Sequence, residues 1–470
     1  MRLDARVHRT EARRMGPGFA GAGLVLFLTL LALPLNALAE AAKQVLYRHA
    51  ILIDGSDAAP RADMDVLVEG ERIRAVFPDR APDRTLSGDA RIVDLSGKYL
   101  MPGLIDSHVH LATPPNQRQA QAILRRDLYG GVTAVRDMAD DLRPVGELTR
   151  EALVGDIPSP DIYYAALMAG PEFFTDPRTA ETSVGGVPGH MPWMQAVTPQ
   201  SDVPLAVAMA RGTGATAIKL YAALTPEMAA RITAEAHRQG LRVWAHATLY
   251  PAKPSEVVAA GVDAISHACL LVREPNAHVP AFGAPRHPVD LSVFRKGDNP
   301  TLARLFADMV KHGTVLDATV WTYAPPPPGA VVPADMPPLL PGSCDDAVGG
   351  AIAGQAFRAG VAVAAGTDNV APWSDPWPDL FHELDSLHTQ AGMPIAAVLR
   401  SATTVGAMAA GQDQDIGRIA SGKLADMIVL EKNPLDDLNN LKSLDLTIKR
   451  GHEYPRKDFV PLVAADITDN

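Results

Sequence analysis

Two histidines lie two residues apart in the segment Asp106-Ser107-His108-Val109-His110. On a β-strand this spacing places both imidazoles on one face, because successive side chains point to opposite sides. Neutral imidazole is a common ligand of zinc and related ions. The pair therefore predicts a metal ion bound at the strand. For this motif taken alone, the alternative is that both histidines are structural residues of the core or of a turn.

Four more polar residues, Lys219, His246, His267 and Asp368, lie within or at the end of other apolar runs. An unpaired charge in such a run would be costly, so these positions predict a functional cluster. An ammonium group at Lys219 would repel a metal. Addition of carbon dioxide to its nitrogen would instead give a carbamate, a two-oxygen anion that can bridge two cations as a carboxylate does.

The elements that must position these residues are apolar strand-like runs that alternate with helical patterns, such as 226–239 and 347–359. Eight parallel strands with helices between them predict a closed (β/α)8 TIM-type barrel rather than an open doubly wound sheet. Because the carboxyl ends of barrel strands form the active-site face, the polar residues are expected on one rim. The predicted strands are 104–110, 132–137, 162–167, 217–221, 242–247, 264–267, 314–319 and 361–368.

Short strand-like runs also flank the barrel, at 45–53, 64–68 and 73–76 on one side and at 425–430 and 446–449 on the other. We expect both chain ends to build one small β-sandwich domain. The predicted organisation is a signal peptide over 1–39, the first part of the β-sandwich domain over 40–99, the barrel over 100–410 and the second part of the β-sandwich domain over 411–470.

The N-terminal segment has the pattern of a secretory signal. An Arg-containing stretch precedes an apolar run over 24–35, and Ala37-Leu38-Ala39 has the small-x-small form of a cleavage site. The run is too short for a comfortable membrane span, so we expect cleavage near Glu40, a periplasmic or secreted protein and no stable membrane insertion. An uncleaved anchor and a twin-arginine route through Arg13-Arg14 remain alternatives.

Composition sets further bounds. The chain has 470 residues, of which 47% are hydrophobic and 21% charged, with a net charge of -11. This balance predicts a globular protein without a basic surface for nucleic acid. The two cysteines, Cys269 and Cys344, could form one bridge at most and have no CxxC partner, so we predict buried free thiols. The sequence leaves the oligomeric state open, with a homo-oligomer among the alternatives.

Three long connections rich in proline and glycine, 170–204, 272–300 and 324–342, follow carboxyl ends of predicted strands and are candidates for the substrate pocket. His190 in the first of these loops is a candidate substrate contact or a solvated histidine. Tyr221 lies two residues after Lys219, which points it to the barrel interior, where it would contact substrate or fill the barrel.

Arginines predicted at the rim are candidates for binding a substrate carboxylate. Arg273 and Arg286 lie in the second long loop, and no feature of the sequence selects between them. Arg136 and Asp137 end the second predicted strand. They are interpreted as an internal ion pair rather than as substrate contacts.

With these motifs the chain resembles the amidohydrolase superfamily, in its binuclear branch with a carboxylated lysine. Within it, the chain is similar to imidazolonepropionase-related proteins and to zinc-dependent Xaa-Pro or other carboxypeptidase-like dipeptidases. The resemblance spans the mature chain and is carried by 100–110, Lys219, His246, His267, 365–368 and 417–426.

The resemblance implies two divalent ions, with zinc expected, and a carbamate on Lys219. The implied ligand sets share this lysine: His108, His110, Lys219 and Asp368 for one ion, and Lys219, His246 and His267 for the other. A hydroxide bridging the ions would attack a carbonyl, with Asp368 as general base and then acid. The expected function is hydrolysis of an amide or peptide bond in a small molecule or short peptide, by a dipeptidase, a carboxypeptidase-like enzyme or an N-acyl amino acid amidase.

Of three alternative functions, the sequence leaves one open and disfavours two. A lactonase or other ester hydrolase would use the same site and stays open. A deaminase with one metal is disfavoured because Ala247 and Thr248, rather than a glutamate, follow His246, and because Lys219 would be superfluous. A non-catalytic relative is disfavoured because all six ligands are present.

Overall fold

The computed structural model describes residues 44–79, 86, 89–285, 288–325, 344–368, 375–463 and 465. The predicted signal peptide and most of the loop predicted over 324–342 lie outside these residues. Among the helices that are described, none combines the length and the apolar character that a membrane span requires.

The strands are numbered in chain order. They are β1 Gln44–Leu52, β2 Arg61–Glu69, β3 Arg72–Pro78, β4 Arg91–Asp94, β5 Tyr99–Pro102, β6 Leu104–Val109, β7 Val132–Asp137, β8 Asp161–Ala169, β9 His190–Met191, β10 Met194–Ala196, β11 Ala217–Leu220, β12 Arg242–His246, β13 Ala264–Ser266, β14 Val315–Asp317, β15 Val363–Ala364, β16 Met427–Leu430, β17 Leu444–Lys449 and β18 His452–Pro455.

The helices follow the same order. They are α1 Gln117–Tyr129, α2 Leu142–Val154, α3 Pro177–Glu181, α4 Val203–Gly212, α5 Pro226–Arg238, α6 Pro254–Ala259, α7 Pro300–His312, α8 Asp346–Arg358, α9 Leu380–Thr389, α10 Ile395–Ser401 and α11 Thr404–Ala410.

Eight parallel strands form the barrel, in the order β6, β7, β8, β11, β12, β13, β14 and β15. The last strand returns to the first through two backbone hydrogen bonds, from Ser107 N to Ala365 O and from Asp368 N to His108 O, each 2.9 Å long. The predicted TIM-type barrel is therefore confirmed. Its closure places the carboxyl ends of all eight strands on one rim.

Helix α5 shows how the sequence sets an outer element of the barrel. Thr225 caps it by accepting a hydrogen bond from Met228 N, and Pro226 at the first position lacks the N–H that would have no partner there. Ile232 and Ala236, four residues apart, are buried against the barrel. Full burial of a side chain such as Ile232 contributes about 2 kcal/mol, so this face, more than helix propensity, holds α5 in place.

Both chain ends contribute to one eight-stranded sheet, with the order β18, β17, β16, β5, β1, β2, β3 and with β4 beside β1. The junction between the two ends is the antiparallel pair of β5 and β16, in which Leu100 lies opposite Val429. Both side chains are buried in a core that is separate from the barrel core. The predicted small β unit is confirmed, while its residue boundaries stay predictions.

Cys269 and Cys344 form a disulfide, so the prediction of free thiols is wrong. The two residues are 75 positions apart in the chain, yet their Cα atoms are 5.6 Å apart. Cys269 belongs to the segment just after β13, and Cys344 lies directly before α8. Strand periodicity gives no information on how two such rim segments approach each other, which is why the sequence did not predict the bridge.

Candidate metal centre

The six predicted ligands come together at the carboxyl rim of the barrel. The ring centroids of His108 and His267 are 4.9 Å apart, and those of His246 and His267 are 4.8 Å apart. Asp368 Oδ1 lies 3.4 Å from His108 Nε2 and 3.4 Å from His110 Nε2. His108, His267 and Asp368 each present a ligand atom within 4.8 Å of the other two. Residues from five strands thus converge on one point.

All four histidines are held through Nδ1, which leaves Nε2 available for a metal. His108 Nδ1 lies 2.7 Å from Asp317 Oδ2, and His110 Nδ1 lies 2.7 Å from Asp140 Oδ1. His246 Nδ1 lies 2.8 Å from the carbonyl oxygen of Tyr221. A carboxylate or carbonyl partner on the outer nitrogen is the usual arrangement of metal-binding histidine, because it fixes both the tautomer and the ring orientation.

The segments that carry Asp368 and the first two histidines are joined beneath the centre. Asp106 Oδ1 accepts hydrogen bonds from His108 N at 3.0 Å and from Thr367 N at 3.1 Å. The hydroxyl of Thr367 donates to the His108 carbonyl at 3.0 Å. These bonds link β6 to the chain after β15, so the histidines and Asp368 are held in register with one another.

Two ligand positions have unusual backbone conformations. His267 has φ of 74° and Asp368 has φ of 46°, both in the left-handed region that residues other than glycine rarely adopt. Each such residue costs roughly 1–3 kcal/mol and persists only where its surroundings fix it. For His267, a contact of 2.9 Å between Nδ1 and the hydroxyl of Thr319 is part of those surroundings.

The charge states of the buried groups favour a bound cation. Burial lowers the pKa of His267 to about 3 and the pKa of His246 well below its ordinary value, so both rings are neutral donors. Burial also lowers the pKa of Lys219 to about 7. Burial alone would raise the pKa of Asp368, but His108 and His110 outweigh it and lower that pKa. An ionised Asp368 carboxylate beside the neutral imidazoles of His246 and His267 suits a divalent metal ion.

Asp317 is a candidate positioning residue that was not predicted from the sequence. Its fully buried Oδ2 accepts from His108 Nδ1, from an Arg136 Nη at 2.9 Å and from Ser266 Oγ at 2.9 Å. Ser266 Oγ in turn accepts from Lys219 Nζ at 3.0 Å. Asp317 therefore connects two predicted ligands. The predicted ion pair of Arg136 with Asp137 is wrong, since Arg136 pairs across the barrel with Asp317.

Asp140 was missed as well. It accepts hydrogen bonds from His110, from the Ala112 N–H and from the Thr113 hydroxyl. Burial alone would raise the pKa of Asp140, but His110 lowers it. Burial alone would lower the pKa of His110, but Asp140 raises it well above its ordinary value. A polar residue in the turn after a barrel strand was the available signal, and the same signal would have identified Asp317 at the end of β14.

A cavity of about 480 Å³ opens above the cluster. Metal-ligand candidates form its floor, apolar and aromatic side chains form its walls, and a charged pair comes from the loop that follows β8. The described residues that line the cavity are His110, Thr113, Ala139, Leu167, Phe173, Asp176, Arg178, Thr179, Thr182, Met194, Tyr221, Ala222, His246, Tyr250, His267, Leu270, Phe282, Tyr323 and Asp368.

The two predicted substrate contacts differ in their positions. Tyr221 lines the cavity, and its ring centroid lies 4.1 Å from that of His246. His190 lies exposed on β9, which pairs with β10, and it is not among the described residues that line the cavity. A role of His190 in substrate binding stays a prediction that nothing in the described geometry supports.

Replacement of Asp317 with Asn is expected to weaken metal binding about 10–100-fold, because the orienting partner of His108 loses its charge. It also leaves the Arg136 guanidinium without its buried counter-charge, a loss of about 3–5 kcal/mol in unfolding free energy. Competition with a chelator measures the metal affinity, and thermal unfolding measures the stability. Asp445→Asn, at the exposed ion pair with Lys98, is the control. Unchanged metal affinity in Asp317→Asn would remove the positioning role.

Residues 99–453 match the family model described as the amidohydrolase family. This range contains all eight barrel strands, the metal-ligand candidates and the strands of the C-terminal part of the end sheet up to β18. A D-hydantoinase from Streptomyces coelicolor is 31% identical over 110 residues, which cover 23% of this chain and 22% of that protein. The alignment therefore spans less than a quarter of this curated relative.

Solved structures align over far more of the chain. A protein from Bifidobacterium longum that is provisionally named a prolidase is 26% identical, with a TM-score of 0.62, over 91% of this chain and 98% of its own. A Xaa-Pro dipeptidase with methionine bound in its active site is 21% identical, with a TM-score of 0.63, over 88% of this chain and 100% of its own. At 21% identity, the likeness to the second structure shows a shared fold alone.

Proposed function

This chain belongs to the amidohydrolase family and resembles its dipeptidase-like members, and we propose that it is an exported binuclear zinc enzyme that cleaves an amide or peptide bond. The family match supports a hydrolase of carbon–nitrogen bonds. The finer proposal is carried by one observation, the cluster of four histidines, a buried lysine and an aspartate at the carboxyl rim of the barrel, of which three histidines and the aspartate line the cavity. The proposed substrates are dipeptides, peptide C-termini or N-acyl amino acids.

Zinc suits the donor set, which consists of imidazole nitrogens and carboxylate oxygens. We assign His108, His110, Lys219 and Asp368 to one ion and Lys219, His246 and His267 to the other. The outer hydrogen bonds of the histidines support this assignment, because they leave the inner nitrogens available to the ions. When bound, two such ions polarise a carbonyl and lower the pKa of a coordinated water.

The role proposed for Lys219 requires a carbamate. Its amine is completely buried, and burial lowers its pKa to about 7, so a large share of it is neutral near neutral pH. The neutral nitrogen can form a bond to the carbon of carbon dioxide and release one proton, which leaves a carbamate anion. With its two oxygens, a carbamate on Lys219 could hold both ions, whereas the single nitrogen of an amine could hold one.

Asp368 is proposed as the proton carrier of the reaction. Its carboxyl pKa is lowered by His108 and His110 against the effect of burial, so it is ionised at neutral pH and can accept a proton from the attacking water. Its position at the cavity floor allows it to pass this proton to the leaving nitrogen. This transfer completes the hydrolysis, because the water then supplies its hydroxyl to the acyl carbon and its remaining proton to the amine.

Tyr221 is proposed to bind the substrate carbonyl. Burial raises the pKa of its phenol, so the hydroxyl keeps its proton and can donate a hydrogen bond. Its ring packs against His246 and against Phe173, whose centroid lies 4.7 Å away. These contacts fix the ring in the wall of the cavity, where a donor is useful as negative charge develops on the oxygen.

Export is a further part of the proposal. The signal pattern over 1–39 supports it, and so does the disulfide between Cys269 and Cys344, since disulfides persist mainly in oxidising compartments. Fractionation of the native host and N-terminal sequencing test this point. We expect the protein in the periplasm or the medium with an N-terminus near Glu40, and an intact N-terminus in the cytosol would contradict it.

The reaction is tested by a substrate panel that contains N-acyl amino acids, dipeptides ending in proline, arginine or a hydrophobic residue, and simple lactones. Release of a free amine measures amide cleavage, and release of acid from a lactone measures ester cleavage. We expect turnover of at least one amide class and its loss after treatment with a chelator. Cleavage of lactones or esters alone would overturn the amidase proposal in favour of an ester hydrolase.

A further inference from the structure

We infer that Arg178 binds a carboxylate of the substrate at the mouth of the cavity, and that the substrate is a carboxylate-bearing amide with a large apolar or aromatic group. This inference deepens the proposed function and rests on it for the identity of the amide bond. It assigns a specificity-determining role to a residue that the motifs of the metal centre do not contain.

Arg178 lies in α3, and its guanidinium is held by the residue that caps this helix. Asp176 accepts from Arg178 N at 3.0 Å, from Nε at 3.1 Å and from one Nη at 2.8 Å. The carboxylate therefore occupies the side edge of the guanidinium and fixes its plane. Among the hydrogen bonds of the described residues, the second Nη of Arg178 has no acceptor. The edge of the guanidinium between its two Nη atoms carries two parallel N–H groups, and this edge fits a substrate carboxylate.

The electrostatic setting singles out this side chain. Arg178 is the only arginine or lysine among the described residues that line the cavity. The hydrogen bond to Asp176, with weaker effects from Tyr221 and Asp368, raises its pKa, so the guanidinium carries its charge at every working pH. Its side chain is 60% exposed, which places the charge where an entering anion meets it.

One wall of the cavity is aromatic. The ring of Phe173 lies 4.7 Å from that of Tyr221 and 5.6 Å from that of Phe282, and all three residues line the cavity. Leu167 and Met194 extend this surface. Such a wall binds an apolar or aromatic group, and a cavity of about 480 Å³ has room for a group of this size beside an amide.

The two arginines favoured by the sequence are placed differently. Arg273 belongs to the segment after β13 and is not among the described residues that line the cavity. Arg286 lies outside the described residues. Arg178 was not predicted as a site residue, although Asp176-Pro177 before it is a signal for a helix start.

The chain contains a matched control for Arg178. At the start of α2, Asp141 accepts from Arg143 N, Nε and one Nη in the same pattern, and the Arg143 side chain is 50% exposed. Arg143 stacks on Trp193 at 4.9 Å and lines a separate surface groove. Replacement of either arginine removes an ion pair with the aspartate that caps its helix, and replacement of Arg143 also removes a hydrogen bond of 2.9 Å to the Val184 carbonyl, but only replacement of Arg178 removes a charge from the cavity.

The test compares binding of hippurate, an aromatic N-acyl amino acid, with binding of hippuramide, in which a carboxamide replaces the carboxylate. Calorimetric titration is carried out on metal-replete wild type, R178Q and R143Q, with inactive D368N versions if the ligands are hydrolysed. We expect the wild type to prefer hippurate, R178Q to bind hippurate about 10–100-fold more weakly with hippuramide unchanged, and R143Q to match the wild type. R178K, which keeps the charge without the planar fork, should fall between them.

Equal hippurate binding by R178Q and wild type, or no preference of the wild type for hippurate, would overturn the inference. If R178Q does not fold, R178K decides, since an affinity of R178K for hippurate equal to that of the wild type would have the same meaning. The titration needs no turnover, so its outcome is distinct from that of the substrate panel. Loss of hippurate binding in R178Q with no amide cleaved would leave the anion site standing and sink the proposed reaction.

Discussion

Lys219→Ala is expected to lose one of the two metal ions and to lower kcat/KM for the best amide substrate by at least about 10³-fold. The reason is geometric. Lys219 is completely buried on β11, and its Nζ contacts Ser266, which bonds to the same Asp317 that holds His108. Within the described part of the chain, no other lysine lies at the centre to supply a bridging carbamate. Metal analysis and steady-state kinetics on the same preparation measure both effects.

Lys449→Ala is a suitable control, because Lys449 is also buried but lies at the end of β17, where it pairs at 2.8 Å with Asp161 at the start of β8, away from the metal-ligand candidates. This variant should lose thermal stability and keep its metal content. If Lys219→Ala retained both ions and normal turnover, the carbamate and the binuclear assignment would be wrong together.

Asp368→Asn is expected to lower kcat by about 10²–10⁴-fold, the range of a positioned general base and acid. The amide side chain keeps the shape of the carboxylate but cannot accept the proton of the attacking water. Because Asp368 is also an assigned ligand, metal content is measured beside the kinetics. A variant that keeps its metal and loses kcat isolates the proton-transfer role.

Asp375→Asn, at the ion pair with His382 on the same rim, is the control and should retain activity. A kcat of Asp368→Asn within about threefold of the wild type would exclude Asp368 as the proton carrier.

Much of the barrel could be predicted because its strands are short apolar runs interrupted by polar residues at one end. The run that contains Lys219 and the run that ends at His246 both show this pattern, and both became neighbouring strands with their polar residues on the active-site rim. The metal-ligand candidates could be found from the same pattern. A polar side chain in an apolar run is costly to bury without a partner, so its presence there indicates a functional site.

The residues around these candidates were harder to predict. Asp317 and Asp140 follow the same rule as the ligands, so the sequence contained their signal, but their partners come from other strands and only the closed barrel shows the pairing. Arg136 illustrates the limit, because its neighbour Asp137 was the obvious partner in sequence and Asp317 is the partner in space.

The rim loops depend on contacts that no periodicity reveals. The bridge between Cys269 and Cys344 joins two such segments, and the charged pair of Asp176 and Arg178 lies in a third. Substrate specificity is set by these loops, whereas the chemistry is set by the strand ends. This division explains why the sequence identified the reaction centre more fully than the substrate.

The measurement that tests the central claim most directly is elemental analysis of the full mature protein, purified without chelators and with bicarbonate present. The binuclear assignment predicts about two zinc ions per chain in the wild type and one or fewer in Lys219→Ala. One ion or none in fully active wild-type protein would contradict it.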